Sequence, residues 1–465
     1  MIGGRLRRYI GRLTLAWGVA FAAGALSAQT TLDAEAMRAA AGKSLQVGRP
    51  AQAEALASAL LARDKQDLTA WLLHARALRD LGRLPEARDS AGRAWALAQS
   101  DSDKYATALI TAQILSSEGK RTRAQLWLRR AGEHAPTPRL EARAKRDFNY
   151  VKQRNPWQTQ LSFVLAPSSN INNGSASDRS YLNYDLSKII FGAPVEYELT
   201  GSARALSGLE YGASLSSRYR FAQSATTAHD LNIGASYRSF VLSNSASRTA
   251  PEASGADFAF GTVSLGYGYR QINLARRGEF TADVEAAQSW YGGQGYASYG
   301  RVSVAQSVDM SHVQRLRFGA ELERQYGQRA ADVETAVLSA SLTQKLSSGN
   351  VTFFALEGTA TQASDEDAEY DGIELRGGLL LARPVMGAEL RFGLGVALRD
   401  FDTSRHVAGG RRDLKASADV TAVFKEIDYY GFNPSATLTA SSNSSTVDLF
   451  DVNRVGLSLG FRSYF

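Results

Sequence analysis

Arg454-Val455-Gly456-Leu457-Ser458-Leu459-Gly460-Phe461-Arg462-Ser463-Tyr464-Phe465 alternates apolar and polar residues, and this period of two decides the fold. On an extended chain Val455, Leu457, Leu459, Phe461 and Phe465 share one face, while Arg454, Gly456, Ser458, Gly460 and Arg462 share the other. One face suits lipid and the other a wet lumen. The pattern recurs upstream. Leu390, Phe392, Leu394, Val396 and Leu398 alternate with Glu389, Arg391, Gly393, Gly395 and Ala397. Leu316, Phe318, Ala320 and Leu322 alternate with Arg315, Arg317, Gly319 and Glu321. Val263, Leu265, Tyr267 and Tyr269, and again Leu231, Ile233, Ala235 and Tyr237, alternate with small or polar residues.

About fourteen such runs start near residues 157, 206, 229, 257, 278, 297, 314, 332, 350, 370, 387, 412, 431 and 450. Alternation sustained this far is too long for one soluble sandwich and predicts a transmembrane barrel with an even number of antiparallel strands. The connections sort by length. Those near Pro167–Leu206, Ser243–Ala256, Ser364–Glu369, Thr403–Arg411 and Ser442–Asp448 are expected to face outward. Those near Ser311-His312 and Ser347–Gly349 are short and expected to face the periplasm. Trp157, Tyr237, Trp290, Tyr291 and Tyr299 are candidates for interfacial girdles. Arg317, Glu321, Glu374, Arg376, Arg391, Lys415, Asp419, Arg454 and Arg462 are expected on the lumen wall, which a barrel of this size must fill with water or a plug. In the first strand the alternation fades after Ser162, because Phe163-Val164-Leu165-Ala166 is apolar on both faces.

The N-terminus fits an exported chain. Arg5, Arg7, Arg8 and Arg12 precede an apolar run from Leu13 to Leu26 and small residues through Ala28, which reads as a signal peptide over residues 1–28. The run is too short and too rich in glycine and alanine for a membrane anchor, and no other stretch approaches the roughly 18 apolar residues of a spanning helix.

Residues 33–153 have a different texture, rich in Ala, Leu and Arg. Gly48, Gly82 and Gly119 each separate two helical runs, at spacings of 34 and 37 residues. Trp71, Ala75, Gly82 and Ala87 in one copy, and Ala112, Gly119, Ala124 and Ala131 in the next, follow the tetratricopeptide pattern. Small residues stand where paired helices touch and glycine stands at the turn. Such a solenoid offers a concave surface to an extended partner. Lys145–Arg154 reads as a charged connector, and Pro156 ends any helix before the barrel at 155–465. The fold class is thus α plus membrane β.

The chain has 465 residues and no cysteine, which excludes disulfides, thiolate metal sites and lipidation of its own N-terminus. Its net charge of +7 is uneven. Residues 29–154 hold 22 Lys/Arg against 14 Asp/Glu, and residues 155–465 hold 27 against 32. A basic module beside a membrane suits acidic clients or phospholipid headgroups, or is simply a solvated surface; nucleic acid is not expected for an exported chain. The five histidines, His74, His134, His229, His312 and His406, are scattered, and no nucleophile elbow is present. Asp365-Glu366-Asp367 with Glu369 is an acidic loop cluster, more fitting as a solvated loop than as a cation site. No catalytic residue, metal or cofactor is expected.

The combination resembles the surface lipoprotein assembly modifier family. The resemblance is most specific at the barrel entry, Asn155-Pro156-Trp157 followed by Ala166-Pro167-Ser168-Ser169-Asn170-Ile171-Asn172-Asn173. Trp157, Pro167, Ser169, Asn170, Ile171 and Asn172 carry it. The last strand, with Val455, Leu457, Leu459, Phe461 and Phe465, resembles the signal read by the barrel-assembly machinery. Ser463 departs from that signal, which usually has an apolar or aromatic residue there, and the repeats depart from consensus. The resemblance implies an outer-membrane translocon with its repeats in the periplasm. Its partners would be membrane lipid, the barrel-assembly machinery, and a client lipoprotein or small secreted protein. Two alternatives stay open: a polysaccharide exporter with a periplasmic repeat domain, and a passive porin.

Overall fold

The computed structural model describes residues 32–181, 184–427 and 432–463. The expected signal peptide and Phe465 lie outside these residues. Seven helices come first: α1 (Ala34–Gln46), α2 (Pro50–Arg63), α3 (Leu68–Asp80), α4 (Leu84–Leu97), α5 (Asp101–Ser117), α6 (Arg121–Glu133) and α7 (Pro138–Arg154). Local chemistry sets their ends. The Asp33 and Asp67 carboxylates accept from the Ala36 and Ala70 amides at 2.7 and 2.9 Å, and Ser100 and Asp103 form a capping box. Pro50, Pro85 and Pro138 stand in first turns, where no amide is needed.

The three turn glycines take the left-handed conformation, with φ of +72°, +78° and +77° at Gly48, Gly82 and Gly119. In each, the next amide bonds back to a carbonyl five residues earlier: Arg49 to Ser44, Arg83 to Leu78 and Lys120 to Leu115, at 2.8–2.9 Å. The helices so paired approach through small side chains. Ala75, Leu78, Ala87 and Ala91 pack with Ile110 and Ile114 from the following helix. Ala112, Leu115, Ala124 and Leu128 pack with Phe148 and Val151. Each cluster borrows from the next hairpin, so the repeats form one continuous solenoid. Lys145–Arg154 differs from the expected connector. It is the second half of α7, because Ala144, Phe148 and Val151 repeat at helical spacing and bury against α6.

The barrel closes from fourteen strands. They are β1 (Trp157–Ser168), β4 (Gly208–Gln223), β5 (Thr227–Leu242), β6 (Phe260–Asn273), β7 (Gly278–Tyr291), β8 (Gln294–Ser311) and β9 (Gln314–Gly327). Then come β10 (Val333–Lys345), β11 (Val351–Ala363), β12 (Asp371–Leu380), β13 (Ala388–Phe401), β14 (Arg411–Phe424), β15 (Phe432–Ser445) and β16 (Val452–Ser463). The first loop carries a ribbon of β2 (Arg179–Tyr181) and β3 (Glu196–Glu198), with helix α8 (Tyr184–Phe191) between them. Helix α9 (Asn244–Thr249) follows β5. No helix among the described residues is long and apolar enough to cross a membrane. Crossing is left to strands, whose ladders satisfy backbone groups without water along every junction of the barrel except part of that between β1 and β16.

Strand order is that of a meander, so every neighbour is antiparallel. The long loops 169–207 and 243–259 share one end, here the far end. Trp157, the repeats and the turns 224–226, 312–313 and 346–350 share the near end. Ser442–Ser445 are not loop but the last residues of β15. The fading pattern in β1 conceals a continuous strand, in register with β4 from Trp157↔Tyr219 to Ser168↔Gly208.

Candidate functional site: a polar lumen, its two mouths and its closing seam

Alternation puts one face of every strand outside. Leu161, Phe163, Leu338, Leu394, Val455, Leu457, Leu459 and Phe461 are exposed there as a lipid-facing belt. Trp157 and Tyr219 stack at 4.7 Å at the near end, and Tyr237 and Trp290 are exposed toward the far end. Two girdle candidates belong elsewhere. Tyr291 registers with Phe260, which carries the Arg238 guanidinium over its ring. Tyr299 lies beside Arg301 on the inner face, its hydroxyl 3.5 Å from Glu285. Alternation alone decides both: Tyr291 faces away from its neighbour Trp290, and Tyr299 shares the parity of Arg301, since the bulge at Tyr296, between the partners of Ser289 and Trp290, lies beyond it.

The other face lines a lumen of mixed charge. Arg301 is its hub, bonded to Glu323 at 2.8 Å, 3.2 Å from Glu321 and 3.8 Å from Glu285. Arg317 reaches Ser307 and Thr281, each at 3.3 Å, and Arg376 pairs with Glu374. Arg391 lines a cavity with Glu389 and Thr421, Asp419 faces the Gly393 backbone, and Lys415 is in register with Ala397 on β13. The side chain of Arg462 is outside the described residues. The hub escaped sequence reasoning because Glu285, Arg301, Glu321 and Glu323 come from three strands. Only the register brings them together.

The near mouth adjoins the repeats. Asn155 joins the two domains: its side-chain amide donates to Thr122 at 2.9 Å and its oxygen accepts from the Trp157 amide at 3.2 Å. The Arg129 guanidinium lies 4.5 Å over the Phe432 ring at the start of β15. Between α6, α7 and β4 is a cavity of about 460 Å³, lined by Arg121, Arg154, Arg218 and Arg220 among others. Asp230, almost fully buried, takes Arg220 through two bonds of 2.8 and 3.0 Å and lies 3.5 Å from Arg218. One carboxylate facing two guanidiniums leaves this throat positive.

The far mouth is partly covered. Ile171 and Leu206 bury against Phe240, Ala246 and Ala250. Arg411 is buried between the Phe401 and Phe450 rings at 3.7 and 3.6 Å, and contacts Asp367 at 3.2 Å. Asp365 and Asp367 of the acidic loop turn to Arg405 and Arg411. A backbone bond from Asp367, with Arg405, holds the Asp365 carboxyl below its ordinary range despite some burial. The histidines are dispersed among separate partners: His74 with Ser90, His134 with Asp101, and His229 with Tyr267.

The barrel-entry residues sit at the seam where β1 meets β16. Pro167 lies on β1 opposite Leu209. Asn170 is fully buried; its side chain donates to the Gly174 carbonyl at 2.8 Å and accepts from the Gly174 amide at 3.1 Å. Asn172 donates to the Ser202 and Arg204 carbonyls and accepts from the Leu206 amide. The Ser169 amide donates to Val455, whose own amide donates to the Ser169 hydroxyl. In the repeats, Ala75, Ala87, Ala124 and Ala131 have no exposed surface and Ala112 almost none, while Trp71 packs beside Leu60 and Leu61.

Residues 157–465 match the model of the surface lipoprotein assembly modifier family. The chain belongs to this family. As a member, it is an outer-membrane barrel with a role in surface lipoprotein assembly. Among curated proteins none matches. The repeats are similar to the type III secretion translocator chaperone SycD of Yersinia enterocolitica, at 21% identity over 26% of this chain and 83% of that one, with a TM-score of 0.24. They are also similar to the first TPR domain of the human RPAP3 protein, at 16% identity over 26% and 90%, with a TM-score of 0.23. The barrel is similar to OmpT of Vibrio cholerae lacking loop L8, an outer membrane protein, at 8% identity over 66% and 99%, with a TM-score of 0.32.

Proposed function

We propose that this assembly modifier carries a client lipoprotein, or a related small secreted protein, from periplasm to cell surface. The repeats lie on the periplasmic side and hold the client incompletely folded. The near mouth receives it, the polar lumen gives its polypeptide a wet route, and folding outside draws it through. The chain performs no chemistry in this reading. The observation that carries it is the positive throat, where Arg121 and Arg154 of the repeats and Arg218 and Arg220 of the barrel line one cavity. Capture and passage are thereby adjacent, and an acidic client segment is favoured at the entrance.

The test is co-expression in a Gram-negative host with each exported protein encoded nearby, followed by protease accessibility on intact cells. A neighbour that becomes surface-exposed only with this chain names the client. Deleting residues 33–153 is expected to leave an inserted barrel with reduced export; unchanged export removes the role of the repeats. If every neighbour stays inside while the barrel is inserted, polysaccharide export takes the place of this reading.

A further inference from the structure

One interface of the wall is unlike the rest. β1 registers with β4 along its whole length, and β15 with β16 from Phe432↔Ser463 to Asn443↔Val452. β1 and β16 register only at Leu165↔Leu459 and Ser168↔Gly456. From Leu165 toward the near end they run side by side with no registered pair among the described residues. They are still close, for a Cβ placed on Gly460 would stand 3.6 Å from the Phe163 carbonyl. Toward the far end the joint is fastened by the segment that follows β1. Ser169 exchanges two bonds with Val455, Arg454 Nε donates to the Asn170 carbonyl at 2.8 Å, and the Ala176 amide donates to Asp451 at 2.6 Å. Backbone groups facing hydrocarbon need partners, so a stretch of wall without its ladder is the least costly place to part.

A lipid-anchored client poses a topological problem that this joint answers. Its polypeptide needs the wet lumen, but its fatty chains lose favourable burial with every methylene drawn into water. Polypeptide inside and chains in the bilayer can be joined only through the wall. We propose that the β1–β16 seam is the slot through which the acylated terminus of a lipoprotein spans lumen and lipid, with Ser169–Ala176 as the latch at its far end. This rests on the client reading above, and it names the client's lipid anchor as the partner of the seam.

The chain has no cysteine, so engineered ones report alone. Nitroxides at Phe163→Cys and Phe461→Cys flank the unregistered half on the lipid face. The labelled full chain is placed in vesicles of phosphatidylethanolamine and phosphatidylglycerol, and pulsed electron resonance reads the distance. A synthetic triacylated lipopeptide is expected to add a longer-distance population, and the same peptide without acyl chains is not. A control pair across a full ladder, Phe163→Cys with Ala213→Cys, is expected to stay fixed. No response at the seam, or equal response in the control, overturns the proposal.

A second variant, Leu165→Cys with Leu459→Cys, locks the seam by a disulfide. Oxidised, it is expected to hold back a lipidated client while passing the same client stripped of its acylated cysteine, and reduction restores export. Passage of both through the locked barrel, or of neither, overturns the slot. If no co-expressed lipoprotein reaches the surface with the parent chain, the client reading fails, and the labelled barrel still decides the seam.

Discussion

Replacing Asn170 by alanine tests whether the far-end fastening is held by one buried amide. The native side chain satisfies both backbone groups of buried Gly174, at 2.8 and 3.1 Å, and reaches the Asn453 carbonyl at 3.4 Å. Alanine fills none of these roles. Each lost bond is worth about 1 kcal/mol net, and a buried group left unpaired costs about 1–3 kcal/mol, so docking of the first loop should weaken by roughly 2–4 kcal/mol. At tenfold for every ~1.4 kcal/mol, the open population rises roughly 30- to 1000-fold. Trypsin can read this at Arg179, Lys188 and Arg204, since cleavage follows the open population when reclosing is fast. Asn172→Ala removes three bonds at a less buried position and should have the smaller effect. Cleavage of the Asn170→Ala barrel within about threefold of the parent, or a larger effect from Asn172→Ala, would refute the reasoning from burial.

Arg301→Ala removes the cation that faces Glu285, Glu321 and Glu323, and planar-bilayer recordings should show any residual current shift toward cations. Ala87→Leu forces a larger side chain into a helix contact with no free surface; it should destabilise the repeats by about 1–3 kcal/mol, seen as a lower helical melting point with the barrel's resistance to detergent unfolding unchanged. Burial lowers the His74 pKa from its ordinary 6.5, outweighing Glu54 and Glu86 nearby, with Arg83 adding to the shift. The unfolded chain therefore takes up the proton first, so the repeats should lose stability as pH falls below about 6.5, and His74→Gln should flatten that part of the profile in melts between pH 7.5 and 5.5.

Much of the barrel is legible in the sequence because lipid on one side and water on the other impose the same alternation on every strand. Leu390 to Leu398 and Val455 to Phe461 announce their faces without tertiary information. Tyr299 is misplaced by a weaker signal, an aromatic residue near a strand end, whereas its alternation with Arg301 already puts it on the inner face. The first loop is illegible for another reason. Its ribbon strands are three residues each, too short for periodicity, and their partners are separated by a helix. In the repeats, the turn glycines and small residues are visible because close helix approach demands them. The charged surface of Lys145–Arg154 hides Phe148 and Val151, which make it a helix. The positive throat draws on α6, α7 and β4, and the hub around Arg301 on three strands, so neither exists before the chain is folded.

Helix α7 ends at Arg154 and β1 begins at Trp157, with only Asn155 and Pro156 between. Asn155 is itself tied to both sides, through Thr122 and through the Trp157 amide. There is no slack in that joint. The strand so attached is one of the two jambs of the least fastened interface in the wall. Mechanically, the solenoid is a lever arm clamped to a door frame, and a load that tilts it is delivered as shear to the edge of β1.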